Sequence, residues 1–255
     1  MNTFHDSHCH LTQYKNIDKI IQESLDNKVS KIVAVSMFKR ENIEVLNLYK
    51  KYPEIIIPAL GIHPISISNK TKIDILFQEV ESLIKKNIKN LKIIGEIGLD
   101  RYFTKDPKIL KKQRDIFNNF LSLSEEFRLG VTVHGKYAES EIMDILEGYN
   151  IKPIIIHWYS TTNNLIRRGI DNEYYYSVNF SVLYSKKVQN LVKITPIKHL
   201  LTESDGPVKY KPINLTGKPQ SIPKVVSEIA NLKKLEMDKV SINLNHNFKK
   251  ILNIS

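Results

Sequence analysis

Lys92-Ile93-Ile94-Gly95-Glu96-Ile97 opens a stretch that runs through a long candidate helix, Pro107–Arg128, to Gly130-Val131-Thr132-Val133-His134. The two flanking runs are short, apolar and rich in β-branched residues, so both read as buried strands. The segment between them carries apolar residues at 109, 110, 116, 117, 120, 121 and 123, the spacing of one helix face. Pro107 suits a first helical turn and Gly130 suits the exit. A strand, a crossover helix and a second strand make a parallel βαβ unit.

The same alternation extends in both directions. Further apolar runs lie at Phe4–His10, Lys31–Met37, Ile55–Leu60, Ile154–Trp158, Tyr174–Phe180 and Lys198–Thr202; the tyrosine-rich run at 174 is the weakest. Candidate helices fall at Ile17–Asn27, Glu41–Lys51, Ile73–Lys86, Glu139–Leu146, Ser185–Val192, Pro223–Lys233 and Asp238–Leu252. Eight strands alternating with helices in 255 residues predict an α/β fold, a single (β/α)8 TIM-type barrel spanning 1–255, because such barrels run to about 250 residues. The longest irregular stretch is Gly206–Lys224, which holds Lys209, Lys211, Lys218 and Lys224 and no acidic residue. It follows the last strand, so it is expected to overhang the C-terminal face of the barrel as a basic, substrate-facing loop.

Composition narrows the function classes. A 42% hydrophobic and 25% charged chain forms a core. No apolar run of about 18 residues argues for a membrane span. The first residues lack the basic and apolar regions of a secretory leader. Cys9 is the only cysteine, so no intramolecular disulfide forms, which suits the cytoplasm. In a strand, Cys9 faces away from His8 and His10 and reads as a packed residue. The net charge of +11 favours a polyanionic partner such as nucleic acid. Lysine supplies all but six of the 38 basic residues, however, and the accompanying Ile and Asn bias is equally the mark of nucleotide composition in the source.

The chemistry lies at the strand ends. His8 and His10, two apart in a strand, point to one side and can share an ion. Glu96, His134 and His157 end the fourth, fifth and sixth runs, and Asp205 follows the eighth. In a parallel barrel these ends meet at one mouth. Imidazole mixed with carboxylate suits Zn2+ or Mn2+ better than an all-oxygen Mg2+ site. Four histidines and two carboxylates exceed what one tetrahedral ion needs. They suit two divalent ions about 3.5–4 Å apart, a pair that activates water and neutralises charge on a phosphoryl oxygen.

Asp6-Ser7-His8-Cys9-His10-Leu11, Gly61-Ile62-His63-Pro64, Gly95-Glu96-Ile97-Gly98-Leu99-Asp100 and Thr202-Glu203-Ser204-Asp205-Gly206-Pro207 resemble, in order and spacing, the motif series of the TatD family of metal-dependent deoxyribonucleases. The late Asn247-Phe248-Lys249-Lys250-Ile251-Leu252 resembles that family's closing helix, so the likeness covers nearly the whole chain. The resemblance implies an amidohydrolase-superfamily barrel in which His8, His10 and Asp205 hold one ion, His134 and His157 hold a second, and Glu96 bridges them. It implies DNA as the substrate, with trimming of 3′ ends as a mode. A single-stranded or frayed end fits a narrow barrel mouth better than an intact duplex. Two places depart from the family pattern. His134-Gly135-Lys136 stands where His-x-Arg is common, keeping a charge but losing a bidentate fork. Trp158-Tyr159-Ser160-Thr161 stands where Cys-Phe-Ser-Gly is common.

Supporting roles follow. Asp205 is expected to accept the proton of the attacking water, with Glu203 either sharing that task or orienting a ligand. His63 and Lys136 are expected to position a substrate phosphate. Asp6 and Asp100 can fix ligands or loops, and Trp158 and Tyr159 can stack on a base or pack in the core. Arg101 reads as a surface residue. Rival readings are an ester, lactone or amide hydrolase on the same two-ion scaffold and a non-catalytic nucleic-acid-binding protein. No obligate protein partner is indicated.

Overall fold

A computed structural model describes residues 3–254. Eight parallel strands stand in sequence order: β1 Phe4–Cys9, β2 Val29–Val35, β3 Ile56–Leu60, β4 Ile93–Asp100, β5 Gly130–Lys136, β6 Ile154–Ile156, β7 Tyr175–Val178 and β8 Leu200–Thr202. The helices are α1 Ile17–Asp26, α2 Lys39–Lys51, α3 Ile73–Lys86, α4 Pro107–Phe127, α5 Glu139–Leu146, α6 Asn163–Asp171, α7 Lys186–Ile194, α8 Ile222–Lys233 and α9 Met237–Leu252. The first seven connect successive strands. The fold is the TIM-type barrel expected from the alternation. Its last seam closes beyond β8, where Asp205 N–H donates to the His8 carbonyl (3.0 Å) and His10 N–H donates to the Gly206 carbonyl (2.9 Å).

Strand alternation sorts the core into two layers. Ile32, Ala34, Ile94, Val131, Val133, Ile154, Ile156 and Leu200 face the helices. Val33, Val35, Ile57, Ala59, Ile93, Ile155 and Leu201 face inward and pack with Phe248, Ile251 and Leu252 of α9, at the end of the barrel away from the metal-ligand candidates. A continuous apolar layer below forces the next inward positions, at the C-terminal strand ends, to be the ones that carry chemistry.

Several expectations change. Helix α6 was not anticipated: only Leu165, Ile166 and Ile170 are apolar in its nine residues, and Gly169 weakens the pattern. Gly169 is needed there because a Cβ would lie 2.0 Å from the Tyr176 hydroxyl, which itself donates to the Ile166 carbonyl (2.9 Å). The 206–224 stretch is not wholly irregular, since Lys209–Tyr210 and Leu215–Thr216 form a small antiparallel pair, β9 and β10. Of that stretch, Val208 lines the mouth and none of the four lysines does. β6 ends at Ile156 rather than Trp158, and β4 continues to Asp100 rather than stopping at Ile97. Among the described residues, no helix is long and apolar enough to cross a membrane.

Candidate metal centre

Two strand irregularities aim the ligands. Along β4 and β5, Ile94 pairs with Val131 and Ile97 with Val133, so Gly95 and Glu96 together oppose Thr132. This bulge shifts the parity of β4, placing Ile97 and Leu99 among the helices while Glu96 and Asp100 share the inward face. The glycines make it sterically possible. Gly95 (φ 154°) and Gly98 (φ 143°) lie against β5, where an added Cβ would sit 2.2 Å from Thr132 Cγ2 and 2.0 Å from the His134 carbonyl oxygen, respectively. A similar slip in β1, between Asp6 paired to Ile32 and Cys9 paired to Ala34, sends Cys9 into the outer core and His8 and His10 inward. Cys9 donates weakly to the Gly206 carbonyl (3.6 Å).

The six predicted ligands meet in one place. Glu96 stands at the centre. Its Oε2 lies 3.2 Å from His8 Nε2 and 3.4 Å from His10 Nε2; its Oε1 lies 3.0 Å from His134 Nδ1 and 3.8 Å from His157 Nε2. Asp205 Oδ1 lies 3.4 Å from His10 Nε2, 3.8 Å from His8 Nε2 and 3.9 Å from His157 Nε2. The His8 and His157 rings stack at 3.7 Å. His8, His10 and Asp205 form one ligand-competent group, and His8, Glu96 and His157 another.

The donor set fits cations. His8 Nε2, Glu96 Oε2 and Asp205 Oδ1 are buried without a hydrogen-bond partner among the described residues, although they converge on one point. Lone pairs left unpaired in a buried site are costly unless a cation satisfies them. Ring tautomers sharpen the assignment. His157 Nδ1 meets Glu203 Oε2 (2.8 Å), and His134 Nε2 meets Asp100 Oδ2 (2.8 Å). His8 Nδ1 meets Thr132 Oγ1 (3.2 Å). With carboxylates accepting, His157 and His134 donate outward and aim their other nitrogen toward Glu96, where a bound ion would take the lone pair in place of a proton; His8 aims Nε2 the same way.

His63 is different. It also approaches Glu96, with Nε2 3.4 Å from Oε1, and groups with Glu96 and His134 within ligand distance. Its Nδ1, however, accepts from Ile65 N–H (3.0 Å), so in the neutral ring the proton sits on Nε2. Burial lowers His63 to about 4, so the ring is neutral. It presents an N–H, not a lone pair, and suits an anionic oxygen better than a metal.

The charges follow from this crowding. Burial works against ionising Glu96, but the surrounding histidines, His63 and His8 foremost, pull it well below the usual carboxylate range. Burial also opposes a proton on His157, yet Glu203 and Asp205 outweigh it and raise the group to about 10. His10 and His134 are raised in the same way by their carboxylate partners, against burial, and burial lowers His8.

Glu203 lies behind His157, fully buried. Its Oε2 takes the His157 contact and the Ser177 hydroxyl, and its Oε1 accepts from Asn179 Nδ2 (2.9 Å). Asp6 Oδ1 accepts from Ser204 N–H (2.9 Å) and His8 N–H (3.2 Å), clamping β1 to the turn that carries Asp205.

The sequence model of the family described as TatD related DNase matches residues 5–253. The chain belongs to the TatD family. An uncharacterised metal-dependent hydrolase of Methanocaldococcus jannaschii is 32% identical over 239 residues, 92% of this chain and 91% of that protein. Deoxyribonuclease TATDN3 of Homo sapiens is 24% identical over 244 residues, 92% of this chain and 89% of that protein. The crystal structure of YJJV, the TatD homologue of Escherichia coli, superposes with a TM-score of 0.89 at 20% identity, covering 99% of this chain and 98% of that one. At this level the chain is a TatD-family metal-dependent hydrolase.

Above the TatD-type centre opens a cleft of about 380 Å3. Gln13, Met37, Ile65 and Val208 line it. Lys136 and Trp158 also line it, with Lys136 Nζ 5.6 Å from the Trp158 ring centroid. Trp158 faces the cleft, whereas Tyr159 is buried and stacks on Tyr176 (5.5 Å), so these neighbours divide the two roles considered for them. Arg101 is turned to Glu141, away from the cleft. Sequence reading missed Thr132, Ser177 and Asn179. A signal was present: each is a polar residue at an inward position of an apolar strand or just beyond its end, two residues from another inward group.

Proposed function

We propose that this TatD-family hydrolase is a metal-dependent phosphodiesterase that cleaves DNA, acting on single-stranded or frayed ends. His8, His10 and Asp205 would hold one divalent ion, His134 and His157 a second, and Glu96 would bridge the two. The observation that carries this reading is the convergence of His8 Nε2, Glu96 Oε2 and Asp205 Oδ1, buried and unpartnered, on the floor of an open cleft. When bound, Zn2+, Mn2+ or Mg2+ would supply Lewis acidity and lower the pKa of water.

The chain's own groups do the remaining work. Asp205 Oδ1 faces the cleft and accepts the proton of the attacking water. Glu203 is already engaged by three donors, which suits it to holding the His157 ring rather than to taking that proton. Asp100 holds His134 in the same manner. His63 donates from Nε2 to a phosphoryl oxygen, and Lys136 adds a positive charge on the cleft wall. The cleft volume lies in the ~300–1,000 Å3 range of small-ligand sites, which suits a splayed strand end and not a duplex.

Paired assays test the reading: end-labelled single- and double-stranded DNA against a lactone and an aminoacyl ester, each with Mg2+, Mn2+ and Zn2+. Metal-dependent DNA cleavage, faster on single strands or frayed ends, is expected. Metal-dependent ester or lactone turnover with no DNA cleavage would overturn it.

A further inference from the structure

Beyond the cleft, three aromatic rings crowd the surface. Tyr102, Phe103 and Tyr137 are 60%, 61% and 63% exposed, and Tyr102 lies 5.2 Å from Phe103 and 5.8 Å from Tyr137, centroid to centroid. Large exposed rings gathered in one patch mark a contact surface more often than chance packing does. We propose that this ridge is an extended subsite for single-stranded nucleic acid, on which the nucleotides next to the reacting phosphate stack as the strand leaves the metal centre; the proposal rests on the DNA-cleaving reading above.

Position supports the assignment. Tyr102 borders the metal cleft on one side and, on the other, a second cavity of about 670 Å3 whose walls include Tyr137, Arg101 and Lys105. Lys136 Nζ stands between the two regions, 5.6 Å from the Trp158 ring and 5.9 Å from the Tyr137 ring. A path from the catalytic floor therefore passes Trp158 and Lys136, crosses Tyr137 and Tyr102, and enters a groove bordered by Lys105. Rings for the bases beside cations for the phosphates are the two elements of sequence-independent strand binding.

The ridge is also built rather than loose. Asp100 Oδ1 accepts from both Tyr102 N–H and Phe103 N–H (2.8 Å each), while its Oδ2 meets His134 Nε2 (2.8 Å). One carboxylate thus fixes a proposed metal ligand and the turn that presents two rings. Arg101 N–H donates to the Lys136 carbonyl (2.8 Å), tying the β4 loop to the β5 loop that carries Tyr137. An occupant stacked here has a defined distance to the metal centre.

The test uses Mn2+-loaded full-length protein and 5′-labelled single-stranded oligodeoxynucleotides from two to eight nucleotides long. Wild-type KM should fall with length over the first few nucleotides and then level off. In Tyr102→Ala/Tyr137→Ala the fall should disappear, raising KM for the long oligonucleotides about tenfold relative to the dinucleotide, the scale of one or two lost stacks. Tyr102→Phe/Tyr137→Phe should restore the wild-type dependence, since a ring without a hydroxyl still stacks. DNA cleavage with the same length dependence in the alanine variant and wild type would overturn the ridge alone. No cleavage of any oligonucleotide by wild type, with turnover of methyl 4-nitrophenyl phosphate or a simple ester retained, would overturn the ridge together with the DNA reading.

Discussion

The floor of the cleft and its rim are assembled by different means. On the floor, the rings of His8, His134 and His157 are each held by a polar partner buried behind them: Thr132 behind His8, Asp100 behind His134, Glu203 behind His157, and Ser177 and Asn179 behind Glu203. At the rim, Tyr102, Phe103 and Tyr137 expose their rings, and their placement comes from backbone geometry: the turn held by Asp100 Oδ1 and the left-handed φ of 55° at Tyr137. A buried polar network must be satisfied throughout or it destabilises the fold, so the floor tolerates little change. An exposed ring contributes little to folding and can vary with the substrate. The same barrel therefore separates a fixed chemical centre from an adjustable recognition surface.

That contrast can be broken from either side. The largest effect is expected at Asp205. Asp205→Asn weakens one ligand group and removes the proposed proton acceptor, and DNA cleavage should drop to background while circular dichroism shows a folded barrel. Next come the residues behind the ligands. Glu203→Gln and Asp100→Asn should each cost about 10–100-fold in metal affinity or activity. Glu203→Gln should fall at the upper end because three donors depend on that carboxylate; Asp100→Asn should also loosen the ridge and raise KM for long oligonucleotides.

A smaller, graded effect is expected with pH. In the metal-free protein His157 is raised from 6.5 to about 10 by Glu203 and Asp205 against the opposing effect of burial. A group raised in this way contributes stability that is complete below pH 6.5 and is lost as pH climbs through 10. Metal-free protein should therefore melt at a lower temperature at pH 9 than at pH 6.5, and His157→Gln should flatten the slope. Asp6, raised by burial to about 7, adds a fall in the same direction that the His157 variant leaves in place. An ion needs the lone pair that the proton occupies, so metal affinity should rise across the same interval, by about tenfold per pH unit for each proton displaced. Calorimetric titration in buffers of different ionisation enthalpy counts those protons.

The floor was legible in the sequence and the rim was not, for a physical reason. Strand periodicity and strand ends specify where His134, His157 and Asp205 meet, because a parallel barrel brings all C-terminal ends together. The bulge at Gly95 and Glu96 was not foreseen, but the glycines that permit it were part of the motif that singled out Glu96. Behind the proposed ligands, Asp100 and Glu203 stood within recognisable motifs, whereas Thr132, Ser177 and Asn179 were marked only by a two-residue spacing from another inward group. The tautomer that separates His63 from the ligand histidines depends on the Ile65 N–H, a tertiary detail. Trp158 (φ 39°) and Tyr137 (φ 55°) at the rim, and Asp205 (φ 46°) on the floor, adopt left-handed backbone that these residue types do not announce, and that conformation decides where each side chain points. Helix α6 was missed because it is short and only three of its nine residues are apolar.

The central claim is that Glu96 joins two ions at one buried point and that DNA cleavage depends on that junction. The direct measurement is metal content per chain, by mass spectrometry of Mn2+- or Zn2+-loaded protein, taken beside cleavage of end-labelled single-stranded DNA for wild type and Glu96→Ala. Two ions per chain with cleavage in wild type are expected, and loss of at least one ion together with cleavage in the variant. A Glu96→Ala protein that keeps its full metal content and still cuts DNA at the wild-type rate would contradict the account.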